Sequence, residues 1–310
     1  MRVTQSMLSN NMLRNLSTSY NKMGKLQNQL NTGKKVNRPS DDPVVAMKGI
    51  GFRHQVAKIE QFQRNIGSVH NWLDSTDSAL DGAGQILDRA RELMVNVPTD
   101  SMTYDDRQKI AQELKQLRES MHDMANTKVG DKYLFSGTKT GSPLYANENV
   151  DGKYTAVPNT DPQKYVLTGT PDNGVLREVK LEVFDGVELQ VNTNGHDLFK
   201  DVDARFDAMI QQIEDPDNQA DLDAHITSLD EAFDQVLEAR AVVGSRQNRA
   251  DLMENRLEIQ QMAAKKQMSQ NEDIDYEVVI TDLMTQESIH RAALSIGARI
   301  IQPTLVDFLR

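Results

Sequence analysis

Histidine is the residue type best suited to metal or acid–base chemistry here, and the chain has six: His54, His70, His122, His196, His225 and His290. They are scattered, without a His-Glu-x-x-His or any short paired spacing, so each reads as a surface or helix-face side chain. Gly82 and Gly84 make a Gly-x-Gly without the third glycine, inside a helical pattern. That is a packing feature and not a phosphate cradle. Asp215, Asp217, Asp221 and Asp223 invite a calcium test. A twelve-residue calcium loop starting at Asp215 needs glycine where Ala220 stands and glutamate where Ile226 stands, so it fails twice. The cluster reads instead as caps and negative charge near a helix N-terminus. Of the 46 Asp and Glu residues, no pair is assigned acid and base roles, and there is no cysteine. The reading is a protein without catalytic residues, metal ligands or cofactor, and not an enzyme.

Composition points the same way. The 310 residues are 38% hydrophobic and only 5% aromatic, thin for one globule but enough for narrow helical packing. A formal charge of -11 argues against nucleic acid or an anionic membrane as partner. No apolar run reaches the roughly 18 residues of a membrane span. Ser6, Ser9, Asn10, Asn11 and Asn15 interrupt what would be the apolar segment of a secretory signal. Export, if it occurs, is expected without a cleaved signal peptide.

The elements that must carry any function are mostly helices. Leu13, Leu16, Tyr20, Met23, Gln27 and Leu30 step by three and four, a coiled-coil seam with one polar break. Gly33 suits the C-terminal cap, Asp42 the next N-cap, and Pro43 the first helical position. Ile59, Phe62, Ile66, Val69, Leu73, Thr76, Leu80, Ala83, Leu87, Ala90 and Met94 then alternate without a slip. A helix over 44–97 would be about 80 Å long, more than a globular domain spans. Ile110, Leu114, Leu117, Met121 and Met124 mark a shorter helix.

Prolines and glycines then break the pattern, and Val179, Leu181, Val183, Asp185-Gly186, Val187, Leu189 and Val191 spell a β-hairpin. The insert is expected to stand out from the helices. Leu222, Ile226, Leu229, Phe233, Val236 and Val243 mark a long return helix, more ragged past Leu257.

The last segment is apolar on two faces. Ile280, Met284, Leu294, Ala298, Ile301 and Leu305 share one face, broken by Glu287 and Arg291, while Ile289, Ala293, Ile296 and Ile300 share another. Such a helix must be covered on two sides, which one partner helix cannot do. The expected fold is mainly α, a long antiparallel helical rod with terminal coiled-coil helices and a small β-rich insert. Terminal helices take 1–40 and 272–310, the rod 41–138 and 198–271, and the insert 139–197.

The ends carry a resemblance. Asn31 through Lys35, then Val36, Asn37, Arg38, Pro39, Ser40, Asp41, Asp42 and Pro43, resemble the N-terminal signature of the bacterial flagellin family. Gly244-Ser245-Arg246-Gln247-Asn248-Arg249 and the tail from Gln302 to Leu309 resemble its C-terminal counterpart. Together they span about the first 135 and last 110 residues. Two stretches, Asn65 to Leu80 and Asp131 to Thr140, are more similar to the family's hook–filament junction branch than to flagellin.

The resemblance implies an extracellular structural subunit, exported unfolded through the flagellar type III apparatus and assembled at the tip. Its terminal helices would form an inner tube through Leu13, Leu16, Tyr20, Met23, Leu30, Ile280, Met284, Leu294, Ala298, Ile301, Leu305 and Phe308. The implied partners are copies of itself in a helical ring, another hook-associated protein on the hook side, flagellin on the filament side, and an export chaperone. Flagellin itself and a non-flagellar coiled-coil scaffold are the alternatives.

Overall fold

The computed structural model describes residues 5–96, 104–141, 143–150, 153–158, 178–214 and 222–300. The order is α1 (Gln5–Thr32), α2 (Pro43–Asn96), α3 (Tyr104–Ala125), β1 (Lys128–Val129), β2 (Lys132–Tyr133), β3 (Tyr145–Val150), β4 (Lys153–Pro158), β5 (Lys180–Phe184), β6 (Val187–Gln190), α4 (His196–Glu214), α5 (Leu222–Glu272) and α6 (Tyr276–Ile300). The fold is mainly α with long antiparallel helices and small β-hairpins. The chain forms two compact units, one of Met1–Lys58 with Ile259–Arg310 and one of Ile59–Glu258.

In the larger unit the uninterrupted stripe of α2 is the core. All eleven of its positions from Ile59 to Met94 are buried. Thr76, the polar member, is accommodated because its hydroxyl donates to the Trp72 carbonyl at 2.8 Å. Helix α5 runs antiparallel to it: Arg91 pairs with Asp230, Arg240 with Asp77 and Asp81, and Gln247 with Asp74. The face that α5 turns to α2 is mixed already before the ragged stretch begins. Val243, Ala250 and Leu257 are buried every seventh residue, while the intervening half-buried positions hold Arg240, Arg246 and Gln247. Gly82 and Gly84 sit mid-helix; a Cβ there would meet Met124 of α3 at 2.8 Å and Phe233 of α5 at 3.6 Å.

Helices α3 and α4 pack through Ile110, Leu114 and Met121 on one side and Phe199, Val202, Phe206 and Met209 on the other. A polar cluster joins them. Asp203 accepts from Arg118 Nε at 2.6 Å and lies 2.6 Å from His122 Nε2, and Arg118 also reaches Asp207 at 3.0 Å. Burial acts to raise the Asp203 pKa, but hydrogen bonds from His122 and Arg118 outweigh it and hold the carboxyl at about 2. His122 and His196 are both buried, which single-residue spacing does not reveal.

The hairpins are antiparallel. Gly186 takes φ 71 in the turn after Asp185, as a tight Asp-Gly turn requires. Val183, at a register irregularity between Glu182 and Phe184, shares the inner face with Leu181 by strand alternation and is buried with Leu189 and Val191. The β5–β6 hairpin does not stand free. Phe184 stacks on Phe62 of α2 at 6.3 Å and lies 4.3 Å beneath the Arg256 guanidinium of α5. Asn65 donates to the Glu182 carbonyl and Arg246 to that of Asn192. The half-polar alternation of the strands concealed this, because aromatic and cationic contacts leave no period. The acidic stretch tested for calcium falls on 215–221 up to its last residues and lies mostly outside the described residues.

Candidate assembly interface

The terminal helices meet in the smaller unit. Three contacts fix one antiparallel register between α1 and α6. A Cβ at Gly297 would stand 3.0 Å from Met12 Cε, the Tyr20 and His290 rings lie 6.2 Å apart, and a Cβ at Gly33 would stand 2.9 Å from the Tyr276 hydroxyl. In this register the shielded positions fall in step. On α1 they are Met12, Leu16, Ser19, Met23, Leu26 and Leu30; on α6 they are Val279, Leu283, Gln286, His290, Ala293 and Gly297. Both sets repeat by four and three, the spacing of a coiled-coil seam.

The sequence-predicted interface residues divide between two locations. Leu16, Met23 and Leu30 lie on the seam, half-buried, whereas Leu13 and Tyr20 are exposed. On α6, Ile280 (46% exposed), Met284 (67%), Leu294 and Ala298 all face solvent, as do Ile289 and Ile296. Ile301, Leu305 and Phe308 lie outside the described residues. Sequence reasoning placed only Ala293 of this seam on an apolar face, because Gln286, His290 and Gly297 interleave with Val279, Leu283 and Ala293 and dilute the hydropathy signal. Its strict four–three spacing against α1 was the available clue.

A short connection and a polar lock hold this pair at its end. Gly33, at φ 69, caps α1 with its N–H donating to Gln29 O at 2.8 Å. Lys35 N–H donates to Glu272 O at 2.7 Å and Ile274 N–H to Gly33 O at 3.1 Å, so the two connections are laced through their backbones. Glu272, buried, receives both arms of Arg53 at 2.8 Å, and Lys34 lies 3.4 Å away. Lys34 also donates to Asp273 at 2.6 Å. That bond raises the Lys34 pKa and is the first cause lowering that of Asp273, followed by one from Ser269. Gly49 makes room for the lock, since a Cβ there would lie 2.5 Å from Glu272 Oε1.

The loop Asn37–Arg38–Pro39–Ser40–Asp41–Asp42–Pro43 is folded on itself. Arg38 N–H donates to Asp41 at 3.1 Å, Asp41 N–H to Arg38 O at 2.9 Å, and Asp42 Oδ1 accepts from Val44 and Val45 at 3.0 and 3.1 Å. Asp42 is thus the N-cap of α2, with Pro43 at the first helical position. Asn37 donates to Asn28 O at 3.4 Å. With Val36, Val45, Ile50, Arg53 and Glu272, the loop walls a recess of about 150 Å³.

This arrangement leaves apolar side chains of both terminal helices exposed. The matches to known families follow its two halves: the bacterial flagellin N-terminal helical region covers residues 3–140, and the bacterial flagellin C-terminal helical region covers 226–309. The chain belongs to the bacterial flagellin family. Within it, flagellar hook-associated protein 3 from Escherichia coli (strain K12) is 24% identical over 302 residues, covering 94% of this chain and 93% of that protein. Flagellin from Bacillus subtilis (strain 168) is 26% identical over 277 residues, 83% of this chain and 82% of its own length. A flagellar hook-associated protein from Vibrio parahaemolyticus, of solved structure, has a TM-score of 0.62 at 26% identity and covers 75% of this chain and 100% of its own. Sequence and fold therefore both match the hook-associated protein 3 branch.

Proposed function

We propose that this protein is a structural subunit of the bacterial flagellum that forms the junction between hook and filament. The observation that carries the reading is the α1–α6 pair. Its seam leaves Leu13, Tyr20, Ile280, Met284, Leu294 and Ile296 turned outward. Apolar residues spread along both helices need neighbouring subunits to cover them. A repeating heterologous contact that does not close gives a helical array, so copies of this chain cover those faces in a helical ring about one layer deep. Another hook-associated protein abuts the ring on the hook side and flagellin on the filament side. The subunit works outside the cell, reaching its place unfolded with the help of an export chaperone. No helix among the described residues is long and apolar enough to cross a membrane.

Flagellin itself is the second reading, favoured by the likeness to the Bacillus subtilis protein. Copy number separates the two, because a filament requires thousands of subunits and a junction about one helical layer. Deleting the gene tests the proposal directly. Cells with hooks but no filaments, shedding flagellin monomers into the medium, are the expected result. A normal filament refutes the junction role, and loss of the major filament protein itself establishes the second reading.

A further inference from the structure

In the larger unit, His70 on α2 faces Asp251 and Glu254 on α5. The two carboxylates are one turn apart and so project from the same side of their helix. The three potential ligand atoms lie within 4.8 Å of one another. His70 Nε2 stands 3.3 Å from Glu254 Oε2 and 3.6 Å from Asp251 Oδ1. It is shut off from solvent and makes no aligned hydrogen bond.

We propose that His70, Asp251 and Glu254 bind a divalent transition-metal ion of the zinc class, which clips α2 to α5. Two readings compete for this geometry, and the distances separate them. An imidazolium bonded to a carboxylate normally closes to about 2.7–2.9 Å. Neither contact does. A tetrahedral ion with bonds of about 2.0–2.2 Å instead holds neighbouring ligand atoms about 3.3–3.5 Å apart. The two histidine–carboxylate spacings already approximate that edge. The carboxylate side chains are 60% and 51% exposed, free to complete the coordination by rotating without any backbone shift.

Charge supports the same assignment. Among the described residues no Lys or Arg lies within 4.0 Å of either carboxylate, so two like charges sit one turn apart with only the imidazole between them. A divalent cation removes that repulsion. One imidazole with two carboxylates suits Zn²⁺ or its first-row neighbours better than calcium, which takes six to eight oxygens. Water fills the open position. The role is structural: the ion ties α2 to α5 beside the Gln247–Asp74 hydrogen bond and the buried Ala250 and Leu257. No spacing motif announces the site, because its ligands come from opposite halves of the chain.

The test uses the full-length chain, freed of any affinity tag and stripped with a chelator. Zinc chloride is titrated near neutral pH by calorimetry, and melting is followed at increasing zinc concentration. Wild type is expected to bind one ion per chain and to melt higher as zinc rises. Glu254→Gln, an exposed change, should melt like wild type without zinc, bind it at least about tenfold more weakly, and lose the zinc-dependent shift. His70→Ala and Asp251→Asn should behave alike; if His70→Ala fails to fold, the two carboxylate variants decide. The proposal is overturned if wild type shows no saturable binding, or if the variants bind zinc as tightly as wild type does.

Discussion

Helix α6 presents two faces whose roles can be separated by one substitution on each. Met284 is 67% exposed, so only about a third of its side chain is covered within the subunit. Full burial of such a side chain is worth about 1.5–3 kcal/mol. The subunit therefore realises about 0.5–1 kcal/mol there, and on the proposed function assembly gains the remaining 1–2 kcal/mol. Met284→Asp forfeits that gain and forces a carboxylate into the contact, at a further cost of several kcal/mol if it stays unpaired. Gly297 is the opposite case. It is buried on the seam, where even a Cβ would lie 3.0 Å from Met12 Cε, so Gly297→Leu overfills the α1–α6 contact by about 1–3 kcal/mol. Thermal melting and amide exchange over residues 5–33 read the subunit, and complementation of the deletion strain reads assembly. Met284→Asp should lower subunit stability by no more than about 1 kcal/mol, the share realised within the subunit, yet fail to restore filaments. Gly297→Leu should speed exchange in α1. Normal filaments with Met284→Asp, or a subunit destabilised by more than about 1 kcal/mol, would refute the division of faces.

The other expectations concern the supports of this arrangement. Asp203 has a folded pKa of about 2, below its ordinary value, so its contribution is full above the unfolded carboxylate range and is lost as pH falls towards 2. It is of the order of 2 kcal/mol. Asp203→Asn should cost about that much near pH 7 and flatten the acid limb of stability, measured by urea unfolding across pH; an unchanged limb would show that the cluster does not control it. Arg53→Met leaves the buried Glu272 carboxylate with Lys34 alone. Allowing for the exposure of Arg53, it should destabilise the smaller unit by about 2 kcal/mol, read as faster amide exchange over 33–45. Phe184→Ala removes the ring between Phe62 and Arg256 and should cost about 2–3 kcal/mol in melting. A silent change would mean the hairpin is carried along and not docked.

How much of this was legible in the sequence depended on what each contact is made of. The α2 stripe was fully readable because every member but Thr76 is apolar and the helix buries the whole of it. The caps at Gly33 and Asp42 were equally open, since each is set by local backbone chemistry. Contacts made by charge and shape were closed to that method. Arg53 and Glu272 become a lock only through their pairing, and Gly49 and Gly297 matter by what they leave out.

The α1–α6 seam is the least legible contact. Hydropathy singles out Ile280, Met284 and Leu294, and these face away from α1; the α6 residues facing it include Gln286, His290 and Gly297, and Ser19 is among those that α1 turns to the seam. Ser19 Oγ and His290 Nδ1 are buried there without a hydrogen-bond partner, a direct cost to the pair. A seam weaker than the outward faces suits a subunit that, on the proposed function, passes unfolded through an export channel and gains its cohesion from its neighbours. On the proposed function, the strongest apolar signal of α6, at Ile280, Met284 and Leu294, marks the surface that neighbouring copies cover and not the seam with α1.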